Sequence, residues 1–196
     1  MILTNADKTF IFLHIYRTGG RSFREAVGGV GLIPLHPKMR EVRSYMIENG
    51  EGDLFDNAFK CTLTRNPFDW QLSVFRYIKT ITSHPQHQEV KDLSLFEYLT
   101  WLKNVAFIKY PDKFATQYDF LSDENGLLVD YCGKLETFDS SIVYVCGKLN
   151  ILPPSQIPHI KDYPKSKSYT ELYGSKEKKL IEEMFSIDLT TFGYDF

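Results

Sequence analysis

The run Thr9-Phe10-Ile11-Phe12-Leu13-His14, followed by Gly19-Gly20 and then Ser22-Phe23-Arg24-Glu25-Ala26-Val27, restricts the fold more than any other feature of this chain. A β-prone apolar run without polar alternation is the pattern of a strand buried on both faces, as in parallel sheets. The glycine pair turns the chain, and 22–27 reads as a helix that Gly28-Gly29 stops. The same grammar returns at Phe59-Lys60-Cys61-Thr62-Leu63-Thr64, then Arg65-Asn66-Pro67, then 68–78. There Leu72, Phe75 and Ile78 keep helical spacing and Pro67 suits a first helical position. Downstream, 129–135 reads as a strand, and 93–108, 142–149 and 176–185 read as helices. The apolar stripes Phe96-Leu99-Leu102 and Leu180-Ile181-Met184-Phe185 mark two of these helices. Strands alternating with helices predict an α/β fold with helices on both faces of the sheet. Ligands of such sheets bind beyond the carboxyl ends of the strands, the edge where both turns fall.

Composition narrows the class. Of 196 residues, 43% are hydrophobic and 24% charged, which excludes a disordered chain. No repeat, low-complexity tract or long linker interrupts the sequence, so a single domain over 1–196 is expected. A formal charge of −2 gives no basis for a nucleic-acid partner. Phe10-Ile11-Phe12-Leu13 is far short of the roughly 20 residues of a membrane span, and 1–8 lack the pattern of a secretory signal. Three cysteines without a C-x-x-C pair suggest neither a disulfide framework nor a zinc knuckle. A cytoplasmic protein is expected, with no membrane span and no metal.

Two segments carry chemistry. In Leu13-His14-Ile15-Tyr16-Arg17-Thr18-Gly19-Gly20-Arg21-Ser22, the glycines let backbone N–H groups close around an anion, and the following helix start adds its positive dipole end. Arg17 and Arg21 supply charge, and Thr18 and Ser22 supply hydroxyls. The loop lacks the G-x-x-x-x-G-K-[ST] pattern of nucleoside triphosphatases; alone, it also fits a tight turn with solvated arginines. In Thr64-Arg65-Asn66-Pro67-Phe68-Asp69-Trp70-Gln71-Leu72-Ser73, Arg65 at a strand end and Ser73 two helical turns on can reach one phosphate from two sides. Alone, this segment fits somewhat better an Arg65–Asp69 ion pair with Ser73 merely filling space.

Together the two segments resemble a known family. His14-Ile15-Tyr16-Arg17-Thr18-Gly19-Gly20-Arg21-Ser22 is similar to the H-I-P-K-T-G-G-T-S loop of carbohydrate sulfotransferases related to heparan 2-O- and chondroitin sulfotransferases. Thr64-Arg65-Asn66-Pro67-Phe68-Asp69 with Ser73 resembles that family's V-R-N-P-Y-D-R-L-V-S segment. Further on, Gly133-Lys134-Leu135-Glu136-Thr137-Phe138 resembles its G-R-x-E-N-L, and Phe192-Gly193-Tyr194 its F-G-Y. Pro158-His159 resembles a Pro-His step that precedes its last helices.

The resemblance implies a P-loop-like three-layer sandwich with a central mostly parallel sheet flanked by helices. It implies transfer of a sulfuryl group from 3′-phosphoadenosine 5′-phosphosulfate to a hydroxyl of a carbohydrate or similar acceptor. Thr18, Gly19, Gly20, Arg21 and Ser22 would hold the 5′-phosphosulfate, and Arg65 and Ser73 the 3′-phosphate. Lys165 and Tyr169, in a basic tyrosine-bearing stretch that also fits a solvated loop, would meet the 3′-phosphate and stack on adenine. Catalysis of this kind rests on positioning and electrostatics and calls for no metal.

Where the family has Lys this chain has Arg17, read as an electrostatic stabiliser because a guanidinium is effectively never deprotonated. Tyr16 replaces a proline and Arg21 a threonine, so a catalytically impaired nucleotide-binding relative is a competing reading. A nucleotide-dependent kinase of the P-loop type is another, weakened by the missing Gly-Lys. For the base, Leu35-His36-Pro37-Lys38-Met39-Arg40-Glu41-Val42-Arg43 resembles the family's G-x-H-x-T-A-R-E-L-R segment and nominates His36, with Glu41 in reserve and His14 orienting the loop. His84-Pro85-Gln86-His87 offers too few ligands for a metal and reads as a surface loop.

Overall fold

The structure is a computed structural model that describes residues 1–33, 36–160 and 167–196. The chain opens with β1 (Ile2–Thr4), β2 (Phe10–Leu13), α1 (Gly20–Val27), β3 (Val30–Ile33), α2 (Met39–Glu48), α3 (Gly52–Asn57) and β4 (Phe59–Thr64). It continues with α4 (Pro67–Thr80), α5 (His87–Val90), α6 (Leu95–Trp101), a π-helical turn (Leu102–Ala106), α7 (Phe107–Lys109) and α8 (Gln117–Leu121). After these come β5 (Ser122–Asp123), β6 (Gly126–Leu127), β7 (Tyr131–Lys134), a 3-10 turn (Leu135–Thr137) and α9 (Phe138–Lys148). The last elements are α10 (Tyr169–Leu172), α11 (Ser175–Met184) and α12 (Ser186–Phe192). Contacts group the chain into two compact units, Met1–Arg65 with Gln117–Tyr163 and Asn66–Thr116 with Pro164–Phe196.

In the first unit five of the described strands form a mixed sheet in the order β3-β1-β2-β4-β7, and β5 and β6 form a separate antiparallel pair. The pairs β2–β4 and β4–β7 are parallel and the two pairs made by β1 are antiparallel. All of the five but β1 therefore run the same way, so the sheet is mostly parallel, as the sequence predicts. β1 enters it through a turn closed by side chains: the Thr4 hydroxyl donates to Phe10 O at 2.6 Å, and Asn5 Oδ1 accepts the Thr9 N–H at 2.8 Å.

Strand alternation puts Phe10, Phe12, Cys61 and Leu63 on one face, packed against Phe23 of α1 and Phe138, Ile142 and Val145 of α9. The rings of Phe12 and Phe23 stack at 3.6 Å between centroids. Ile11 and Leu13 point the other way and are also fully buried, so β2 is covered on both faces. Lys60 shares that second face, and its ammonium is satisfied by Ala58 O at 2.7 Å and Phe55 O at 3.2 Å. Register pairs Phe10 with Phe59 and Leu13 with Thr62, which sets the carboxyl ends of β2 and β4 side by side.

The second unit is helical. Pro67 opens α4 and Asn66 caps it, its side chain accepting the Phe68 N–H at 3.1 Å. Leu72, Phe75 and Ile78 are buried as their spacing predicts, but so are Phe68, Trp70, Gln71 and Val74, so α4 is enclosed nearly all round. The expected Phe96-Leu99-Leu102 stripe is corrected at its first member. Leu99 and Leu102 are buried, whereas Phe96, in the first turn of α6, is 39% exposed with the Lys176 ammonium over its ring. The His84–His87 segment is not a surface loop throughout. His87 is buried, and because its Nδ1 lies 2.9 Å from Ile78 O, which can only accept, that nitrogen carries the proton. No described helix is long and apolar enough to cross a membrane.

Candidate functional site

The first corner lies between β2 and α1. Its backbone is left-handed at Arg17 (φ 63°) and again at Gly19 (φ 86°), the cap residue of α1. A left-handed residue followed by a helical one forms a backbone concavity in which successive N–H groups converge, and here Gly19 and Gly20 make that step. Gly19 is required by its positive φ and Gly20 by space. A Cβ on Gly19 would stand 2.6 Å from Leu135 Cδ1, and one on Gly20 would fall inside the His14 imidazole. The Thr18 hydroxyl is fully buried and donates to Ile15 O at 2.7 Å, bracing the turn from within. The Ser22 oxygen accepts the Ile160 N–H at 2.9 Å and keeps its own proton to give. Arg21 stands exposed in the first turn of α1, whose three leading N–H groups have no acceptor inside the helix.

The second corner follows β4. The Arg65 guanidinium donates from Nη1 to Arg17 O at 3.0 Å, so it reaches across the strand ends to the glycine loop. Its main chain is held by Gln117, which is fully buried. Gln117 Oε1 accepts the Arg65 N–H at 2.9 Å, and its amide nitrogen donates to Arg65 O at 2.8 Å.

His36 stands against this loop. Its ring packs edge-on to His14 at 4.9 Å and to Tyr16 at 6.0 Å. Nδ1 of His36 lies 2.6 Å from His14 O and 3.3 Å from the Met1 amino nitrogen. The carbonyl only accepts, and the amine, its pKa lowered to about 5 by burial, is neutral and can accept too, so Nδ1 carries the proton and Nε2 is left with its lone pair. Desolvation lowers the His36 pKa below the ordinary imidazole value. Desolvation, joined by the neighbouring His36, the amino terminus and Arg17, lowers that of His14 well below it. Both rings are therefore neutral near neutral pH. Glu41 is otherwise engaged: its carboxylate accepts the Lys38 N–H at 2.9 Å at the start of α2.

The remaining sequence-predicted residues lie elsewhere in the chain. Ser73 is half-buried on α4 in the second unit. Tyr169 opens α10 in the same unit, stacked on Phe68 at 6.0 Å, edge-on to Phe196 at 5.6 Å, with its hydroxyl 3.4 Å from the Asn66 amide nitrogen. Lys165 lies outside the described residues. His159, half of the Pro-His step, pairs with Asp139 at 2.7 Å and packs edge-on to Phe138. No group of three or more His, Cys, Asp or Glu side chains able to hold a metal occurs among the described residues.

Sequence reasoning passed over Gln117, Asp119 and Phe120. Their segment, Thr116-Gln117-Tyr118-Asp119-Phe120, carries no motif, and the one available signal is a polar residue every second position in an aromatic run. The chain as a whole matches no family model, no curated protein and no solved structure.

Proposed function

We propose that the chain is a sulfotransferase of P-loop-like architecture, moving the sulfuryl group of 3′-phosphoadenosine 5′-phosphosulfate to a hydroxyl of a carbohydrate or similar acceptor. The observation that carries the reading is the Arg65 Nη1 to Arg17 O hydrogen bond at 3.0 Å. It joins a glycine-lined helix start to a fixed guanidinium, which is the donor set that two linked anionic groups need.

In this reading the Gly19-Gly20 concavity, Arg17 and Arg21 receive the phosphosulfate, and the Ser22 hydroxyl gives it a proton donor. Arg65 takes the 3′-phosphate. The acceptor oxygen attacks sulfur and hands its proton to Nε2 of His36. The bond from sulfur to the bridging oxygen breaks, and adenosine 3′,5′-bisphosphate leaves with the negative charge. Arg17 offsets that charge without supplying a proton. The parts assigned to Ser73, Lys165 and Tyr169 rest on the family resemblance and its spacing.

Replacement of Arg17 by alanine tests the assignment. Transfer of radiolabelled sulfate to a panel of hydroxyl acceptors is expected to fall by about a hundredfold or more, with the thermal midpoint little changed. Turnover equal to that of the unaltered chain would remove Arg17 from the chemistry.

A further inference from the structure

We propose that α8 fixes the phosphate corners and the histidine base in one geometry, with Gln117 and Asp119 as positioning residues. The proposal rests on the sulfuryl-transfer reading of the site. Around a helix axis, residues two and three positions apart point about 200° and 300° away from the first. α8 uses this to reach three segments. Gln117 grips both main-chain groups of Arg65, at 2.9 and 2.8 Å. Asp119 grips the segment that follows His36: its Oδ2 receives the buried Lys38 ammonium at 2.7 Å, and its Oδ1 receives Arg40 Nη1 at 3.0 Å. The same Arg40 nitrogen also reaches the carbonyls of Asp119 at 3.0 Å and Ser122 at 3.1 Å. Phe120, fully buried, packs edge-on to Tyr16 of the glycine loop at 5.8 Å.

These contacts end on the residues flanking the chemistry rather than on the apolar core. Without Gln117 the Arg65 N–H and C=O lose their partners and the guanidinium loses its fixed root. Without the Asp119 carboxylate, Lys38 loses its ion pair and Arg40 keeps only the carbonyls of Asp119 and Ser122, so the segment after His36 loosens at Lys38 and the ring no longer has a set distance to His14 O. Partial burial pushes the Asp119 carboxyl up, but the hydrogen bonds from Lys38 and Arg40 outweigh it and hold the pKa below the usual range. The clamp is therefore ionic at neutral pH.

The full chain is compared with the near-isosteric Gln117→Met, with Gln117→Glu, and with Asp119→Asn, by two measurements. Calorimetric titration with adenosine 3′,5′-bisphosphate is expected to show about tenfold weaker binding for Gln117→Met and a smaller loss for Gln117→Glu, which keeps the acceptor for the Arg65 N–H. Asp119→Asn should bind within about twofold of the unaltered chain. Nitrogen NMR of the His36 ring reads the other arm without any nucleotide. The unaltered chain and both Gln117 variants should hold the proton on Nδ1, and Asp119→Asn should show a mixture of tautomers, which a general loss of stability does not produce. Unchanged binding in folded Gln117 variants, or an unchanged His36 tautomer in Asp119→Asn, overturns the proposal alone. If the unaltered chain takes up no nucleotide, the sulfuryl-transfer reading falls and the proposal with it.

Discussion

Gly20 shows how closely single atoms are specified at the glycine loop. The His14 imidazole occupies the volume a Cβ would need, so Gly20→Ala must expel the ring or shift α1. Overpacking of this kind costs about 1–3 kcal/mol, and urea denaturation of the variant should show a loss in that range; unchanged stability would mean that the ring moves freely. The histidines also tie stability to pH. Burial lowers the pKa of His14 and His36 in the fold, so below about pH 6.5 the unfolded chain binds more protons than the folded one. Stability is thus full above that pH and lost as the pH falls toward the folded values. The thermal midpoint should drop between about pH 7.5 and 5.5, and His14→Gln should flatten the slope. A midpoint that holds or rises on acidification would contradict the lowered pKa of both rings.

At the level of elements, the legible parts are those whose cause is local. β2, the glycine turn and α1 follow from an apolar run, two glycines and a Gly28 stop, and α4 follows from Pro67 and its cap. β1 was hidden because three residues carry no period and its place is set by the pairing of Leu3 with Phe12. α2 has a signal in Met39, Val42 and Met46, all buried at helical spacing, but three apolar positions among charged neighbours, just after a proline, mark a helix only weakly. Gln117 was illegible for another reason. Nothing in a glutamine's neighbours along the chain tells that it will bind the main chain of a residue 52 positions away. The cap of α4 gives a test at this scale. Asn66 accepts from Phe68 N and donates to Asp195 O at 2.7 Å and to the Tyr169 hydroxyl at 3.4 Å, so Asn66→Ala removes at least three contacts of the second unit. A loss of about 1–2 kcal/mol is expected by chemical denaturation, and a change under a few tenths would mean that the cap is replaceable.

Across the whole molecule, a chain of formal charge −2 gathers Arg17, Arg21 and Arg65 around the carboxyl ends of two adjacent parallel strands. Concentrating cations there, against the average charge, favours a small ligand with several negative groups over a polyanion spread across the surface. The site residues on the first unit were readable because glycine and arginine announce themselves beside a strand end. Their support by α8 was not, since it depends on packing.

On the sulfotransferase reading, the glycine loop and Arg65 together bind an adenosine nucleotide phosphorylated on its 3′ and 5′ oxygens. Isothermal titration calorimetry of the folded chain, in chelator and without magnesium, tests it most directly. Adenosine 3′,5′-bisphosphate should bind at least about tenfold more tightly than adenosine 5′-monophosphate, and Arg65→Ala should erase that difference. No heat of binding, or equal affinity for the two nucleotides, would contradict the account.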